Sequence, residues 1–454
     1  MKRIFRLKTR DWFWVHSFSG AVFGLLLFVV CWSGSFAVIA DELDRWVTPE
    51  ARTQLRGDWA SWGDWLASVE AAYPGAAVSR LEAPPAPGST ALAVIDTPEQ
   101  PLVRVYIEPH TAEVLGHSSY FTIQRFFRNF HSYLFIPEVG SYLVSFLSLS
   151  LLVSMLSGLF FYKRWWSRFF SFRGGSFRTL CSEWHKLTGL WSLWFLAVIG
   201  LTGCWYLAEM IRYDWFDRKY SYLGVGPASV QQVPEPSSAP GAPEWPLDQL
   251  VERVKKLRPE LQLQMLHFTN SHPGVLYADG QAGHWLVRDR ANQIYLDRQS
   301  GELLVDQNAS NYPLYWRWSD MADPLHFGNF GGLWSKALWF VFGLLLCGLI
   351  LSGTYLYLKK MSLKAERDVR AVSAQAGLVL AILVLAASVP FGFAEAKYFG
   401  PTIDSVAHYP ELPSGVFAVL AAWICLTIAI VGVWVFFCIK ARGPVSGQGR
   451  SVCN

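Results

Sequence analysis

The stretch Asp11-Trp-Phe-Trp-Val-His16-Ser-Phe-Ser-Gly20 places a histidine at the head of a long apolar run, four residues before a glycine. Ser33-Gly34 follows 17–18 residues after His16 in the same run. The arrangement recurs at Trp184-His185-Lys-Leu-Thr-Gly189, with Thr202-Gly203 again 17–18 residues after the histidine. This repetition at fixed spacing indicates that the chain contains a duplicated unit.

A second pattern alternates with the first along the chain. Ser157-Gly158 lies 26–27 residues after His131, and Ser352-Gly353 lies 26–27 residues after His326. Each of these histidines also precedes a long apolar run. The order therefore predicts two copies of a two-helix membrane unit, with one histidine for each helix and the same starting side in both copies.

The composition favours a membrane protein. Hydrophobic residues make up 52% of the 454 residues and charged residues only 16%, which is low for a water-soluble chain. Since roughly 20 apolar residues cross a bilayer, we expect an α-helical polytopic protein with six transmembrane helices, the last two forming an extra C-terminal hairpin. The six uncharged stretches are 12–40, 139–162, 187–208, 337–358, 371–394 and 412–439.

The basic residues predict the orientation of these helices. Lysine and arginine are concentrated in residues 1–11, in the loops 163–186 and 359–370, and after the last span. Cytoplasmic loops carry such an excess, so we expect cytoplasmic termini in the bacterial inner membrane and two periplasmic segments, 41–138 and 209–336. The first apolar run is too long for a signal peptide and lacks a cleavage site, which favours an uncleaved anchor.

The two outer segments have matching sequence patterns. The hairpin pattern at 105–115 aligns without a gap on that at 294–304. A Pro/Ser/Gly-rich stretch at 226–246 is expected to be a linker, and the remaining patterns predict two small α+β modules. The first has a helix pattern at 61–73 and strand-like runs at 77–82, 91–96 and 103–108; the second has a helix pattern at 247–257 and runs at 261–268, 274–278 and 284–289.

This combination resembles the PepSY-associated transmembrane family over about residues 10–360. Besides the two first-pattern motifs, the matching stretches are Phe130-His131-Ser-Tyr-Leu-Phe135 and Asp323-Pro-Leu-His326-Phe-Gly328-Asn-Phe-Gly-Gly332-Leu. The resemblance implies an iron-regulated inner-membrane protein with PepSY-like periplasmic modules. Some members are similar to haem-containing ferric-siderophore reductases, so the resemblance implies a role in iron uptake, an ion-transport process.

The depth of each histidine restricts its partners. An imidazole in a membrane is costly unless it has a partner or a ligand, and its alternative role is that of a hydrogen-bonded packing residue. His16 and His185 both enter from the cytoplasm, whereas His131 and His326 both precede spans entered from outside. We therefore expect His16 to face His185 and His131 to face His326, because mixed pairs would lie about a bilayer thickness apart. The outer pair is expected at or slightly above the outer interface.

Facing neutral imidazoles suit the two axial positions of a haem iron. Gly20 and Gly189 lie one helical turn after the first-pattern histidines and would clear the helix surface for a flat macrocycle. Gly34 and Gly203 fall on the same face after five turns, although close helix packing would also explain these two.

A bare metal ion is disfavoured, because no cysteine or carboxylate recurs beside the histidines in both copies. Structural zinc or copper sites need three or four ligands. We therefore expect two b-type haems, one at each membrane face, whose irons are ligated by His16, His185, His131 and His326. No catalytic side chain beyond these cofactor ligands is predicted.

Two haems stacked across a bilayer would carry electrons from one side to the other. The sequence has no G-x-G-x-x-G stretch after a strand, so electrons are expected from a separate cytoplasmic reductase or from quinol. The expected acceptor is a ferric siderophore or another periplasmic ferric chelate, near Arg125-Phe-Phe-Arg128 and Tyr315-Trp-Arg317-Trp318. Membrane lipid is an expected partner and nucleic acid is not.

Two other classes of function stay open. Parallel repeats also build permeases for siderophores or related small molecules, although the six predicted spans contain no Asp, Glu, Lys or Arg for a coupling ion. A non-catalytic PepSY scaffold that binds a periplasmic partner is the other alternative.

The remaining histidines have no repeat symmetry, so surface or turn roles are expected for them. Asp320 and Asp323 could orient or tune His326, although Asp323 before Pro324 equally suits a turn. The six other histidines are His110, His117, His267, His272, His284 and His408.

Overall fold

The computed structural model describes two connected parts, a bundle of long apolar helices and a β-sheet. His272 and His284, and most of the linker predicted at 226–246, lie outside the described residues. The described residues are 8–54, 57–217, 243–268, 274–283, 286–362 and 369–442.

The first predicted span is bent. Helices α1 (Thr9–Val22) and α2 (Gly24–Val38) meet at an angle of 67°, so the span predicted at 12–40 consists of two helices. Gly24 follows the break and lies against α11 (Gly332–Ser362), where an added Cβ would be 2.7 Å from Thr354 Oγ1. Packing against a distant helix accompanies the bend, so the local sequence does not reveal it.

The other predicted spans are helical, but the span predicted at 187–208 is divided at Ser192 between α7 (Phe177–Trp191) and α8 (Leu193–Ile211). Helix α7 begins within the loop predicted at 163–186, so His185 lies on a helix. Five described helices are long and apolar enough to cross a membrane, or six when the bent pair counts as one span, and the protein is therefore a multi-pass membrane protein. The five helices are α6 (Val139–Phe161), α8, α11, α12 (Val369–Tyr398) and α13 (Ser414–Arg442).

Each outer segment forms a helix and four antiparallel strands. The run at 284–289, predicted as strand-like, has no strand among its described residues, because Val287 instead packs beside Ala291 and Ala309 next to a 3-10 turn. The elements are α4 (Trp62–Ala72), β1 (Ala77–Glu82), β2 (Ala91–Asp96), β3 (Val103–Ile107), β4 (Val114–Ser118), α9 (Leu247–Leu257), β5 (Gln262–Phe268), β6 (Val275–Gln281), β7 (Gln293–Asp297) and β8 (Leu303–Gln307).

The two sets of strands join into one eight-stranded sheet. Its order is β4-β3-β2-β1-β5-β6-β7-β8, which is symmetric about the antiparallel β1–β5 pair. Leu81 pairs with Leu266 at the centre of this junction, and both side chains are fully buried. Trp65 of α4 and Leu250 of α9 belong to the same hydrophobic core. Because each inner strand covers the edge of the other, the segments form one body.

Short helices connect the sheet to the membrane bundle. Helix α3 (Ala40–Val47) follows α2, α5 (Ile123–Tyr133) precedes α6, and α10 (Leu314–Phe327) precedes α11. The Asp44 carboxylate of α3 accepts hydrogen bonds from the backbone N–H groups of Ile123 and Gln124, both at 2.8 Å, and so caps the start of α5. Helices α5 and α10 carry His131 and His326 into the bundle.

Candidate functional site

The inner histidine pair is assembled from four helices. The ring centres of His16 in α1 and His185 in α7 lie 6.1 Å apart. His16 Nδ1 lies 2.7 Å from the Ser154 carbonyl oxygen in α6. His185 Nδ1 lies 3.1 Å from both the Leu349 carbonyl oxygen and Ser352 Oγ in α11. Each ring is therefore held by a helix other than its own and other than that of the facing histidine.

The outer pair has the same construction. The ring centres of His131 in α5 and His326 in α10 lie 6.0 Å apart. His131 Nδ1 lies 2.9 Å from the Val30 carbonyl oxygen in α2, and His326 Nδ1 lies 2.8 Å from Thr202 Oγ1 in α8. The Thr202 hydroxyl donates to the Val198 carbonyl at 2.7 Å, so its oxygen is left to accept from His326.

These hydrogen bonds select the same tautomer in all four rings. A carbonyl oxygen accepts only, and the Thr202 hydroxyl already donates to Val198 and so accepts from His326. Each Nδ1 atom therefore carries the proton, and each Nε2 atom keeps its lone pair. Within the part of the chain that the structure describes, no side chain or backbone group hydrogen-bonds any of the four Nε2 atoms. An imidazole whose other nitrogen donates to a backbone or hydroxyl oxygen is the usual form of a metal-ligating histidine.

The protonation of the outer pair agrees with this form. Burial and, to a smaller extent, the neighbouring His131 lower the pKa of His326 to about 3, although Asp323 opposes both effects. Burial also lowers the pKa of His131, although the Val30 carbonyl opposes the change. Both imidazoles are therefore neutral at physiological pH, as ligation requires.

The separation of the rings fits one metal ion between each pair. Two imidazoles on opposite sides of an ion have ring centres about 6 Å apart, since each metal–nitrogen bond is about 2 Å and each nitrogen lies about 1 Å from its ring centre. The ring-centre distances of 6.1 and 6.0 Å match this value. No group of three or more His, Cys, Asp and Glu side chains among the described residues could hold an ion. Two facing imidazoles at this separation fit haem iron, which needs only two protein ligands.

The structure brings together the histidines that the depth argument pairs, His16 with His185 and His131 with His326. The two pairs are well separated along α11. Ser352 contacts His185, whereas Trp339 Nε1 donates to the carbonyl of Leu325, the neighbour of His326. These positions on α11 are 13 residues apart, which corresponds to about 20 Å along a helix. Ligation of iron by the four rings stays a prediction.

The outer pair contacts two membrane helices well inside their ends. His131 bonds to Val30, eight residues before α2 ends at Val38, which is about 12 Å inside the end of that helix. Thr202, the partner of His326, lies nine residues before the end of α8 at Ile211. The position of this pair relative to the outer interface stays a prediction.

The Ser/Thr-Gly motifs contact histidines from other helices. An added Cβ at Gly34 would lie 2.6 Å from His131 Cε1, at Gly158 3.3 Å from His16 Nδ1, and at Gly353 2.9 Å from His185 Cε1. Each copy of the duplicated unit has two membrane helices. Each of these glycines thus lies on one of the two helices and makes room for the histidine that belongs to the other.

Two glycines therefore have a different role from the one first expected. Gly34 accommodates the outer His131 and does not clear a surface beside the inner His16. Gly203 packs against α6, where an added Cβ would be 2.6 Å from Ser148 Cβ, as the packing alternative predicts.

Gly20 and Gly189 differ from these packed glycines. An added Cβ at Gly20 would meet no described atom within 4 Å, and at Gly189 it would meet only Leu349 Cδ2, at 3.6 Å. The surface one turn after each inner histidine is therefore open or loosely packed. This agrees with the space that a macrocycle needs, and a role in haem binding stays a prediction for both residues.

An ionic network that the sequence does not reveal surrounds His326. Arg288 Nη1 lies 2.7 Å from Asp323 Oδ2, and Arg288 Nε lies 2.8 Å from Asp320 Oδ1. Tyr206 donates to Asp323 Oδ1 at 2.7 Å, and its ring centre is 5.3 Å from that of His326. The two aspartates therefore bind Arg288 and Tyr206 and make no hydrogen bond to His326. Tyr206 lies one turn after Thr202 on α8, which is the one local signal that could have identified it.

The other described histidines lie on the outer body or beside it. His267 Nε2 lies 3.2 Å from Asp279 Oδ2, and its ring stacks on Tyr277. His117 Nδ1 lies 3.0 Å from Tyr73 Oη. Neither histidine contacts either of the two pairs.

The fold and the histidine geometry define a multi-pass membrane protein with two separated pairs of facing imidazoles. The chain belongs to the family described as the PepSY-associated TM region, whose family model matches residues 13–360. It is also similar to the uncharacterized protein PA4219 of Pseudomonas aeruginosa, with 26% identity over 282 residues that cover 57% of this chain and 70% of that protein. The resemblance inferred from the motifs is confirmed, and α12 and α13 lie beyond the matched region.

Proposed function

We propose that this protein is a bacterial inner-membrane electron-transfer protein that holds one b-type haem on each histidine pair. It reduces a periplasmic ferric chelate, with a ferric siderophore as the expected class, and so releases Fe(II) for uptake. The observation that carries this proposal is the pair of ring-centre distances near 6 Å, with every Nδ1 atom bonded and every Nε2 atom left for a ligand. The siderophore class rests on the family resemblance.

The chain's own groups orient the cofactors and bury them. When bound, haem supplies an iron that takes up and releases one electron. Carbonyl and hydroxyl oxygens on α2, α6, α8 and α11 fix the plane and tautomer of each imidazole. One electron per iron reduces the ferric chelate to its ferrous form, and quinol or a cytoplasmic reductase supplies that electron.

The acceptor is expected at the outer pair. Arg128 is exposed and lies one turn before His131 on α5, where its charge would attract an anionic chelate. The abundance of lysine and arginine in the opposite loops supports a cytoplasmic inner pair and a periplasmic sheet. The route for electrons thus runs from the cytoplasmic pair to the periplasmic one.

The experiment that tests this function is spectroscopy of the purified protein and its histidine variants. Wild-type protein from haem-replete cells should contain about two haems per chain and show sharp α and β bands on reduction. His16→Ala and His185→Ala should remove one haem, and His131→Ala and His326→Ala the other. Reoxidation of the reduced protein by ferric siderophores would then identify the acceptor. Colourless wild-type protein would overturn the proposal, and loss of the same haem in His16→Ala and His131→Ala would contradict the pairing.

A further inference from the structure

The C-terminal hairpin has no counterpart in the duplication, yet it contacts the helix that carries His131. Helix α12 extends to Tyr398, beyond the uncharged stretch at 371–394. It therefore includes Glu395, and the expectation that no carboxylate lies in the spans is wrong for this helix. Ionisable residues in a membrane helix are functional candidates because they are costly to keep there.

The Glu395 carboxylate binds two residues of α5. Asn129 Nδ2 donates to Glu395 Oε1, and Tyr133 Oη donates to Glu395 Oε2 at 2.8 Å. Asn129 is buried, with 6% of its surface exposed. Each carboxylate oxygen thus receives one hydrogen bond from α5, and hydrogen bonds to a charged acceptor are among the stronger ones in proteins.

The two contacts lie on the face of α5 opposite the one that carries His131. Asn129 and Tyr133 are four residues apart and share one helix face. His131 is two residues from each, about 200° around the helix, and points to the opposite side, toward His326. A carboxylate that holds the face of α5 opposite His131 therefore fixes how far His131 reaches toward its partner.

Two further contacts of the hairpin hold α5 and the turn after it. The Trp423 ring of α13 packs against Phe127, with ring centres 5.1 Å apart. After the helix, Phe135 adopts a left-handed backbone conformation with φ of 57°. Its ring sits at Gly392 of α12, where an added Cβ would be 2.9 Å from Phe135 Cδ2. Strained backbone persists only where the surroundings hold it, and here α12 provides that contact.

Helix α5 needs such support, and the equivalent helix obtains it elsewhere. With 11 residues, α5 is shorter than the roughly 12–15 residues at which isolated helices become stable. In α10, the positions equivalent to Asn129 and Tyr133 are Pro324 and Gly328, which cannot bind a carboxylate through their side chains. Arg288 binds α10 from the second outer segment instead.

We infer that the hairpin α12–α13 positions His131, and that Glu395 is the positioning residue. The hairpin supplies to the first copy the support that Arg288 supplies to the second. This explains why a pair of helices that contain no histidine follows the duplicated part of the chain. The consequence for haem binding rests on the proposed function, whereas the effect on α5 does not.

Hydrogen–deuterium exchange of the full chain in detergent tests the effect on α5 directly. Glu395→Ala removes both acceptors, so we expect exchange in residues 123–133 to accelerate about tenfold or more, with residues 177–191 around His185 unchanged. Glu411→Ala, which removes an exposed carboxylate between α12 and α13, is the matched control. Equal exchange of α5 in Glu395→Ala and Glu411→Ala would overturn the inference, whether or not the protein contains haem.

Haem content and redox titration give the second readout. Glu395→Ala should lose or shift only the haem that His131→Ala removes and keep the other, which also reports that the bundle is folded. If Glu395→Ala does not fold, Tyr133→Phe and Glu395→Gln replace it, because each removes less of the contact between Glu395 and α5. Both variants should shift the midpoint potential of that haem alone. Equal change in both haems would contradict a positioning role. Wild-type protein that contains no haem would contradict the proposed function. The hydrogen–deuterium exchange experiment alone would then test the inference.

Discussion

At the scale of single residues, the glycines distinguish the two histidine sites. Gly34 lies on the apolar run that His16 heads, yet its Cα faces the ring of His131. The 17–18 residues that separate His16 from Ser33-Gly34 correspond to about 26 Å of helix along the bent pair α1–α2, and the motif therefore lies at the outer histidine pair. A residue close to one histidine in sequence thus controls space at the other site.

Gly34→Ala should therefore affect the outer site and leave the inner one intact. The added methyl would lie 2.6 Å from His131 Cε1, a clash that displaces the ring and should lower outer-haem occupancy at least severalfold. Gly432→Ala in α13, where an added Cβ meets no described atom within 4 Å, is the control. Haem-resolved optical spectra measure the result, and loss of the inner haem instead would restore the first interpretation of Gly34.

At the scale of elements, the two outer ligand helices carry opposite charges at matching positions. Arg125 and Arg128 lie six and three residues before His131, and Asp320 and Asp323 lie six and three residues before His326. Arg125 stacks over the Tyr120 ring at 4.2 Å, whereas the aspartates bind Arg288. The two copies of this helix therefore keep the histidine at the same position, but different residues hold each helix in place.

Arg288→Gln should loosen α10. The change leaves Asp320 and Asp323 without their shared cation, and Asp320 is 7% exposed. We expect a loss of about 2 kcal/mol in the free energy of unfolding, less than for a fully buried pair because Arg288 and Asp323 are about a quarter exposed.

Thermal unfolding and the midpoint potential of the outer haem measure the effect of Arg288→Gln. Arg290→Gln is the control, since Arg290 is 47% exposed and its Nε lies 3.8 Å from Asp320 Oδ1. Equal stability of the two variants would show that the Arg288 network does not hold α10.

At the scale of the whole molecule, the β1–β5 junction turns two outer segments into one body. The sheet is continuous across the pair Leu81 and Leu266, and both ligand helices lead from this body into the bundle. A change in one segment is therefore transmitted to the other through paired backbone as well as through the membrane helices.

A double variant tests this junction. Glu82 and Met265 are opposite each other, next to the backbone bond from Ala83 N to Gln264 O. They are thus a non-hydrogen-bonded pair with close side chains, and Glu82→Cys with Met265→Cys should form a disulfide when the protein is exposed to an oxidant. Thiol labelling with and without reductant measures it. Glu82→Cys with Gln262→Cys, which are not opposite each other, should stay reduced, and equal labelling of both variants would contradict the junction.

Much of the site could be predicted from the sequence because it depends on spacing along single helices. The matched positions of the four histidines indicated the duplication, and the depth of each apolar run indicated which histidines face each other. Ser154, Val30 and Leu349 could not be predicted as partners of the imidazoles, because they act through backbone carbonyl groups, which the identity of the side chain does not reveal.

The sequence by itself determined the membrane class, the duplication, the two pairs of histidines and most strands of the outer segments, since these follow from hydropathy and period within short windows. Only the tertiary structure decided the bend after α1, the joined sheet, the contacts of the outer pair with α2 and α8, and the contacts of Glu395 with α5. Each of these depends on residues far apart in the chain, and no local pattern records which distant surface a helix or strand edge will meet.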